Sequence, residues 1–332
     1  MKRIKTRALT ASAAGAAMLL TGCAGGAPAP ESAPGAPTSI SIPVFPIADF
    51  APVWVAIEQG YFEENLLDVA LEPAPPTSAQ SAALIASGEF QFGVSSVINV
   101  AQGQSQGIEL VVVAGSTDTD GPDDQYLGTI VREDGPENLA ELARSGNVIG
   151  VNGVGNVTDI LTRNAMAESG GDVDAPDYQN VPYPQGAELV LNGSVTSSTL
   201  IEPFLTTALQ AGGVRAIGFP GASVTEGSPN LSFVTSRDYA ETNAQTVEAF
   251  RTSIASAIEW INDPANEEAL LETLVENTGV PESALAAGAL PSYSMDMVAA
   301  VVEEYLQIFE TYGGLDAMPE SVSDLFADGA LG

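Results

Sequence analysis

The sequence contains no histidine and one cysteine, Cys23, and these absences exclude several kinds of chemistry. Without histidine there is no Ser-His-Asp or Cys-His catalytic arrangement and no histidine-ligated zinc site. With one cysteine no disulfide forms within the chain. The only lysines, Lys2 and Lys5, lie at the N-terminus, so the rest of the chain has no lysine for a Schiff base. We therefore expect no enzyme activity, no cofactor and no metal site, although a pair of carboxylates could still act as acid and base.

Positive charge is scarce as well. Ten Lys and Arg residues stand against 43 Asp and Glu residues, which gives a formal net charge of −33. Four of the ten basic residues lie within residues 2–7, so the remainder of the chain is more acidic still. A field of that sign repels nucleic acid and anionic membrane surfaces. The sequence predicts no nucleic-acid partner.

The N-terminus has the pattern of a secretory signal. Its basic start is followed by the short apolar run Ala8–Leu20, which as a helix would be about 20 Å long, too short to cross a hydrocarbon core of about 30 Å. Leu20-Thr21-Gly22-Cys23 matches the lipobox of bacterial lipoproteins, in which the cysteine becomes the lipid-modified N-terminus. We expect a signal peptide over residues 1–23, lipidation at Cys23, and a protein attached to the outer side of the cell membrane by its lipid anchor alone.

The rest of the chain divides into a tether and two lobes. Residues 24–37 are rich in Pro, Ala and Gly and predict a flexible tether. Beyond them, short apolar runs alternate with helical patterns, which predicts an α/β fold with mostly parallel sheets. Crossings near Asp118–Gln125 and Ser232–Tyr239 predict a discontinuous lobe I, residues 38–117 plus 237–332, and an inserted lobe II, residues 118–236. The C-terminal helices are expected to wrap lobe I.

An acidic turn lies at the first crossing. Its residues, Asp118–Asp124, read DTDGPDD, a pattern typical of a solvated linker. Calcium binding is the alternative, because carboxylates are calcium's preferred ligands, but the turn lacks the 12-residue loop that ends in Glu. We interpret it as a linker.

Five segments resemble the solute-binding proteins of importers for nitrate, sulfonates, taurine and thiamine-pyrimidine precursors. They follow one another in the family's order, and the similarity runs from about Thr38 to Phe326. The sequence departs from the family at Leu67, where glycine is common, and we interpret this as a turn variant. The segments are APVWVAIEQGYFEENLLDVALE (51–72), ALIASGEFQFGVSS (83–96), AQGQSQGIELVVVA (101–114), NVIGVNGVGNVTDILTRNAMAESGG (147–171) and TLIEPFLTTALQAGG (199–213).

The resemblance implies a type II periplasmic-binding-protein fold, with two lobes joined by a two-segment hinge. It also implies the function: a monomer that captures a small molecule between its lobes and delivers it to an ABC permease. Two alternatives stay open, a lipoprotein that presents its ligand to a sensor and an enzyme built on the same fold.

Two candidate ligand loops lie in lobe I, where loops at the carboxyl ends of strands meet helix N-termini. Asp49 can accept a hydrogen bond from a ligand N–H, and Phe50 can stack on a planar ligand. The alternative is that Asp49 caps the following helix while Phe50 packs in the core. Ser95 and Ser96 offer hydroxyls and backbone N–H groups to a polar ligand, or Ser96 is a simple helix cap.

Two further loops lie in lobe II. The glycine-rich turn over residues 152–158 predicts ligand contacts by Asn156 and Val157, or else an ordinary strand-to-helix turn. Glu202, at the end of a strand and before Pro203, can hold an amine by a charge-assisted hydrogen bond. Its alternative is a hydrogen bond to its own helix.

The charges around these loops bear on the ligand. None of the four loops contains Lys or Arg, and Arg163 lies too far along its helix to clamp an anion. Together with Asp49 and Glu202, this favours a neutral or cationic nitrogen-bearing ligand, with a sulfonate or nitrate held by helix N-termini as the alternative.

Overall fold

The computed structural model describes residues 36–75 and 78–332. The predicted signal peptide, Cys23 and most of the predicted tether lie outside the described residues. The strands are β1 (Thr38–Val44), β2 (Leu67–Pro73), β3 (Gly93–Ser95), β4 (Leu110–Asp118), β5 (Leu127–Arg132), β6 (Val148–Val151), β7 (Asp177–Asn180), β8 (Ser197–Ile201), β9 (Val214–Gly218), β10 (Pro229–Ser236) and β11 (Ser292–Tyr293). The helices are α1 (Ala51–Glu58), α2 (Tyr61–Glu64), α3 (Ser78–Ala86), α4 (Val97–Ser105), α5 (Leu139–Leu142), α6 (Val157–Glu168), α7 (Tyr183–Leu191), α8 (Phe204–Ala211), α9 (Arg237–Thr242), α10 (Ala244–Ile261), α11 (Glu267–Thr278), α12 (Glu282–Leu285) and α13 (Ala299–Thr311).

The predicted α/β class is confirmed, with a more mixed strand pairing than expected. One sheet has the order β11-β4-β10-β3 and a second the order β7-β6-β8-β5-β9, while β1 and β2 form a parallel pair. Strand β10 runs antiparallel to both of its neighbours, and so does β5. Strands β10 and β5 account for most of the antiparallel pairs, because each has two neighbours that run in the opposite direction. Strands β6, β7 and β8 pair in parallel as predicted.

The second passage of the chain between the sheets lies earlier than expected. The sequence places it near Ser232–Tyr239, but β10 already pairs with β3 and β4 through Ser232, Phe233 and Val234. The chain therefore returns to the first sheet before Pro229. Alternating apolar residues predict this strand correctly, but they do not say which sheet it joins.

The first sheet is covered by helices from both ends of the chain. Strand β4 is buried along its whole length, as its β-branched run predicts. Helices α1, α2, α10 and α11 share one apolar core with β1, in which Phe250 of α10 packs on three other phenylalanines. The C-terminal helices α10 and α11 thus wrap the first sheet, as expected. No helix among the described residues is both long and apolar enough to span a bilayer.

The turn before β2 contains a leucine with a positive φ. Leu66 adopts a φ of 56°, in the left-handed region that favours glycine, and its side chain is about half exposed. Leu67, the residue that departs from the family pattern, begins β2 and is buried. The strained backbone position of this turn is therefore Leu66, the neighbour of the predicted turn variant.

Candidate functional site

A cavity of about 310 Å³ lies where strand ends of the two larger sheets face each other. This is the position in which open α/β sheets bind ligands, outside strand ends and beside helix starts. Its walls combine aromatic and aliphatic side chains with hydroxyls, amides and carboxylates. The lining residues are Phe45, Ile47, Asp49, Phe50, Ser81, Val94, Ser95, Ser96, Asn99, Asp124, Tyr126, Leu127, Asn152, Val157, Thr158, Leu161, Tyr183, Ile201, Gly221, Asn230 and Leu231.

Five of the seven predicted ligand residues line this one cavity. They are Asp49, Phe50, Ser95, Ser96 and Val157. They come from three separate loops, so the fold brings together residues that are up to about a hundred positions apart in the chain. Asn156 and Glu202 do not line it. Ligand contact itself stays a prediction for all seven.

Asp49 lies in a 3-10 turn between β1 and α1 and is the most buried carboxylate of the cavity wall, at 2 % exposure. Its side chain does not cap α1. Instead Oδ2 accepts a hydrogen bond from the Tyr126 hydroxyl at 2.6 Å, and Oδ1 accepts one from the Thr117 hydroxyl at 2.9 Å. Burial raises the pKa of the Asp49 carboxyl, and these two hydrogen bonds offset part of the increase. Asp49 is therefore held in one orientation by β4 and by the segment before β5.

Phe50 combines both interpretations that the sequence allows. Its ring is 2 % exposed and belongs to the core around α1, with the Trp54 ring centroid 6.4 Å away. It also forms part of the cavity wall, where the Phe45 ring lies 6.3 Å from it. The wall at this point is thus continuous with the core, which fixes the ring in place.

Ser95 and Ser96, at the end of β3, have different roles. The Ser96 hydroxyl accepts a hydrogen bond from Asn99 N at 3.2 Å and so caps α4. Ser95 lines the cavity beside it, as does Asn99. The cap therefore uses one hydroxyl and leaves Ser95 and the Asn99 amide on the cavity wall.

The glycine-rich turn before α6 satisfies its own N–H groups. Asn180 Oδ1 accepts from Val154 N at 2.7 Å, and Asp159 Oδ2 accepts from Gly155 N at 2.8 Å. Asn156 caps α6, since its Oδ1 accepts from Asp159 N at 3.3 Å. The Asn156 side chain thus takes the capping role that the sequence allows as the alternative, and a contact of Asn156 with the ligand stays a prediction. Val157, the first residue of α6, does line the cavity.

Glu202 lies off the cavity as well, and strand geometry gives the reason. Successive residues at a strand end point to opposite faces, and Ile201 is the one that faces the cavity. The Glu202 carboxylate accepts hydrogen bonds from Thr206 N at 3.1 Å and the Thr206 hydroxyl at 2.8 Å, the alternative that the sequence allows. Its Oε2 would lie 2.8 Å from a Cβ placed on Gly288, so a side chain at that position would clash. Burial raises the pKa of Glu202, and the bonds to Thr206 lower it in part.

The acidic turn is more than a solvated linker. Asp118 and Asp124 are buried, and Asp124 lines the cavity, whereas Asp120 and Asp123 are exposed. Burial raises the pKa of Asp124. Its Oδ1 accepts from Tyr126 N at 3.2 Å. A pattern of alternating Asp residues gives no signal of which carboxylates turn inward.

Within the described part of the chain no group of three or more His, Cys, Asp or Glu side chains could hold a metal ion.

Two tyrosines complete the site, and sequence reasoning missed both. Tyr126 links the two acids, since its hydroxyl donates to Asp49 and its backbone N–H to Asp124. The Tyr183 hydroxyl lies 2.8 Å from the Thr158 hydroxyl, and burial raises the pKa of Tyr183 to about 12. Neither follows a strand directly, so the strand-end rule could not find them. The signal available was only that a tyrosine follows the acidic turn.

Comparison with known proteins gives a family and a fold. The family model described as NMT1/THI5 like matches residues 47–268. No curated protein matches the sequence. Among solved structures, the periplasmic nitrate-binding protein of Synechocystis PCC 6803 superposes with a TM-score of 0.73 at 14 % identity, covering 87 % of this chain and 85 % of that one. The periplasmic aliphatic sulphonate binding protein of Escherichia coli gives a TM-score of 0.70 at 18 % identity, covering 87 % and 96 %. A ligand-binding component of an ABC-type import system from Staphylococcus aureus gives 0.72 at 12 % identity, covering 88 % and 97 %.

Proposed function

The chain belongs to the NMT1/THI5-like family, and on that premise we propose that it is the extracytoplasmic solute-binding component of an ABC importer. It captures a small molecule in the cavity between its sheets and delivers it to a membrane permease. The observation that carries this proposal is the cavity itself. Strand ends and helix starts from both larger sheets form its wall, so a bound solute contacts both at once.

Two lobes that close on the solute give the capture its mechanism. We infer the lobe division of the sequence, residues 38–117 plus 237–332 and residues 118–236, with β10 reassigned to the first lobe because it pairs with β3 and β4. A solute that contacts both lobes only in the closed state shifts the protein toward that state. The closed form is then what the permease recognises.

The solute is a small nitrogen-bearing molecule in this proposal, and not the nitrate or sulfonate named for the structural neighbours. Asp49 and Asp124 on the cavity wall favour hydrogen-bond donors over anions. The protein acts as a monomer and performs no chemistry on the solute. Presentation of the solute to a sensor is the second candidate, since it uses the same cavity. Co-purification with a permease and an ATPase supports import, and co-purification with a histidine kinase supports sensing.

The proposal is tested by a thermal-shift screen of amines, pyrimidines, amino acids, sulfonates and nitrate. A solute present at about 100 times its dissociation constant is expected to stabilise the protein by roughly 2.7 kcal/mol. The solute is expected to be recovered chemically unchanged after incubation. Recovery of an altered molecule would make the protein an enzyme, and no shift with any class would contradict solute capture.

Attachment to the membrane rests on the lipobox and is tested separately. Cys23→Ser removes the thiol sulfur that would carry the lipid, so metabolic labelling with a fatty acid is expected to mark the wild type and not the variant. The variant should also keep its signal peptide, because the lipobox is left unprocessed without the cysteine. Equal labelling of the two proteins would reject lipidation at Cys23.

A further inference from the structure

The charges on the cavity wall are all of one sign. Two carboxylates, Asp49 and Asp124, line it, and among the lining residues that the structure describes there is no Lys or Arg. Arg163, in the helix that begins at the cavity, is engaged elsewhere. Its Nε lies 2.8 Å from Asp159 Oδ1, and its guanidinium lies 3.4 Å from the centre of the Tyr178 ring. The cavity therefore has negative groups with no cationic side chain on its wall.

Asp49 is the group whose charge most needs a partner. Its carboxylate is almost fully buried and accepts hydrogen bonds from two neutral hydroxyls, one at each oxygen, and from its own backbone N–H. Hydrogen bonds orient a buried carboxylate, but they do not cancel its charge. The two oxygens together offer about four lone pairs, so the carboxylate retains room for a further donor. A cation in the cavity would complete the site.

The surrounding surface also suits a cation. Phe45, Phe50, Tyr126 and Tyr183 line the cavity around Asp49. The face of an aromatic ring carries partial negative charge and attracts an ammonium group within about 6 Å. Aromatic walls around a carboxylate that is already bonded to two hydroxyls suit an organic cation better than a hydrated metal ion, which prefers several oxygen ligands.

In the glycine-rich turn before α6, three successive backbone N–H groups already have acceptors within the protein. In the turn before α6, the N–H groups of Val154, Gly155 and Asn156 all donate to acceptors of the protein. Asp159 already places a carboxylate at the start of that helix. The glycine-rich turn thus resembles an anion-binding loop in composition, but the carboxylate that it binds is Asp159 of the same chain.

We propose that the cavity selects a small organic monocation, a protonated amine or quaternary ammonium, whose charge is balanced by Asp49. This inference rests on the proposed function, because it names the solute class of the same cavity. Tyr126 and Thr117 hold the carboxylate in place, and the aromatic walls enclose the apolar part of the cation.

The proposal gives binding a defined pH dependence. Burial raises the pKa of Asp49, and a protonated Asp49 cannot balance a cation. Tyr126, Tyr183 and Tyr293, which face Asp49, have pKa values raised above 10 by burial and stay neutral. Asp118 of β4 accepts hydrogen bonds from Ser292 and Ser294 instead, and Asp124 is the second acid on the cavity. Cation affinity is therefore constant above the pKa of Asp49 and falls about tenfold per pH unit below it.

Calorimetry with matched pairs of probes tests the inference. The pairs are choline with its uncharged isostere 3,3-dimethylbutan-1-ol, and benzylamine with benzyl alcohol. In wild type, the charged member of at least one pair is expected to bind about 10- to 150-fold more tightly than its neutral partner, the range of a charge-assisted hydrogen bond. Asp49→Asn is expected to remove that preference. Asp118→Asn, which neutralises a buried carboxylate off the cavity, is expected to keep it.

Three results would overturn the inference. The first is that the neutral probes bind as tightly as their charged partners. The second is that methanesulfonate or nitrate binds more tightly than choline or benzylamine. The third is that the Asp49→Asn variant still prefers the charged probes. In these cases the cavity still captures a solute, and only its class is wrong. If no probe of any charge binds, the inference fails, whereas solute capture stands or falls on the thermal-shift screen. If circular dichroism shows Asp49→Asn unfolded, wild-type cation affinity that shows no loss on acidification, down to the pH at which the protein unfolds, overturns the inference.

Discussion

Replacing Val157 with Trp is expected to weaken binding of the captured solute at least about 100-fold, or roughly 2.7 kcal/mol, while the protein stays folded. Val157 is the first residue of α6, is partly exposed, and lines the cavity. At about 310 Å³ the cavity is at the small end of ligand sites, so an indole ring there displaces the solute. Val157 also packs against the edge of the neighbouring core, so circular dichroism must confirm that the variant is folded before its affinity is compared.

Val154→Trp is the matched control. Val154 lies three residues earlier in the same turn, is 52 % exposed and does not line the cavity. Calorimetry with the solute found by the screen should give this variant wild-type affinity. Equal loss in both variants, or full binding by Val157→Trp, would remove the cavity as the ligand site.

The second large effect concerns the core beneath the site. Phe250→Ala is expected to lower the free energy of unfolding by about 3–5 kcal/mol, because it removes a fully buried ring and leaves a void. The Phe250 ring stacks on Phe92 with centroids 4.0 Å apart, and also contacts Phe62 and Phe233. It therefore joins α2, the start of β3 and β10 in one cluster.

Denaturant unfolding followed by circular dichroism measures this effect. Val298→Ala serves as the control, since Val298 is 52 % exposed and its truncation should change stability by less than about 0.5 kcal/mol. A loss below about 1.5 kcal/mol for Phe250→Ala would mean that the aromatic cluster is not the centre of this core.

The local sequence pattern predicted the strands and helices better than it predicted which strands pair with one another. The short apolar runs and helical patterns of the sequence predicted alternating strands and helices, and elements such as β6 and α10 have a clear period and a clear end. The sheet to which β10 belongs did not follow from its sequence. Apolar alternation reports that a strand has a buried face and does not identify the neighbour that buries it.

Prediction of the site residues from the sequence has the same limit, because local pattern does not say which residues meet in the fold. Asp49 lies in the loop after β1 and Ser95 is the last residue of β3, so the rule for strand ends finds them. Glu202 also ends a strand, but the rule does not fix which of two successive residues faces the cavity, and the structure selects Ile201. Tyr183 reaches the cavity only because α7 packs beside β8, a contact that no local pattern encodes.

The solved structures that resemble this chain share its fold, but their named ligands do not fit the side chains of its cavity. The neighbours from Synechocystis and Escherichia coli are named for nitrate and sulphonate, yet this cavity is lined by Asp49 and Asp124 without a basic side chain. At identities below 20 % the shared property is the arrangement of strands and helices. Fold alone does not specify the ligand, so residues in the loops decide it.

A crystal structure of the protein with the solute identified by the screen tests the central claim most directly. The account predicts one solute molecule in the cavity, in contact with Asp49 from the loop after β1, Ser95 at the end of β3 and Val157 at the start of α6. A solute bound elsewhere on the surface, with this cavity filled by water, would contradict it.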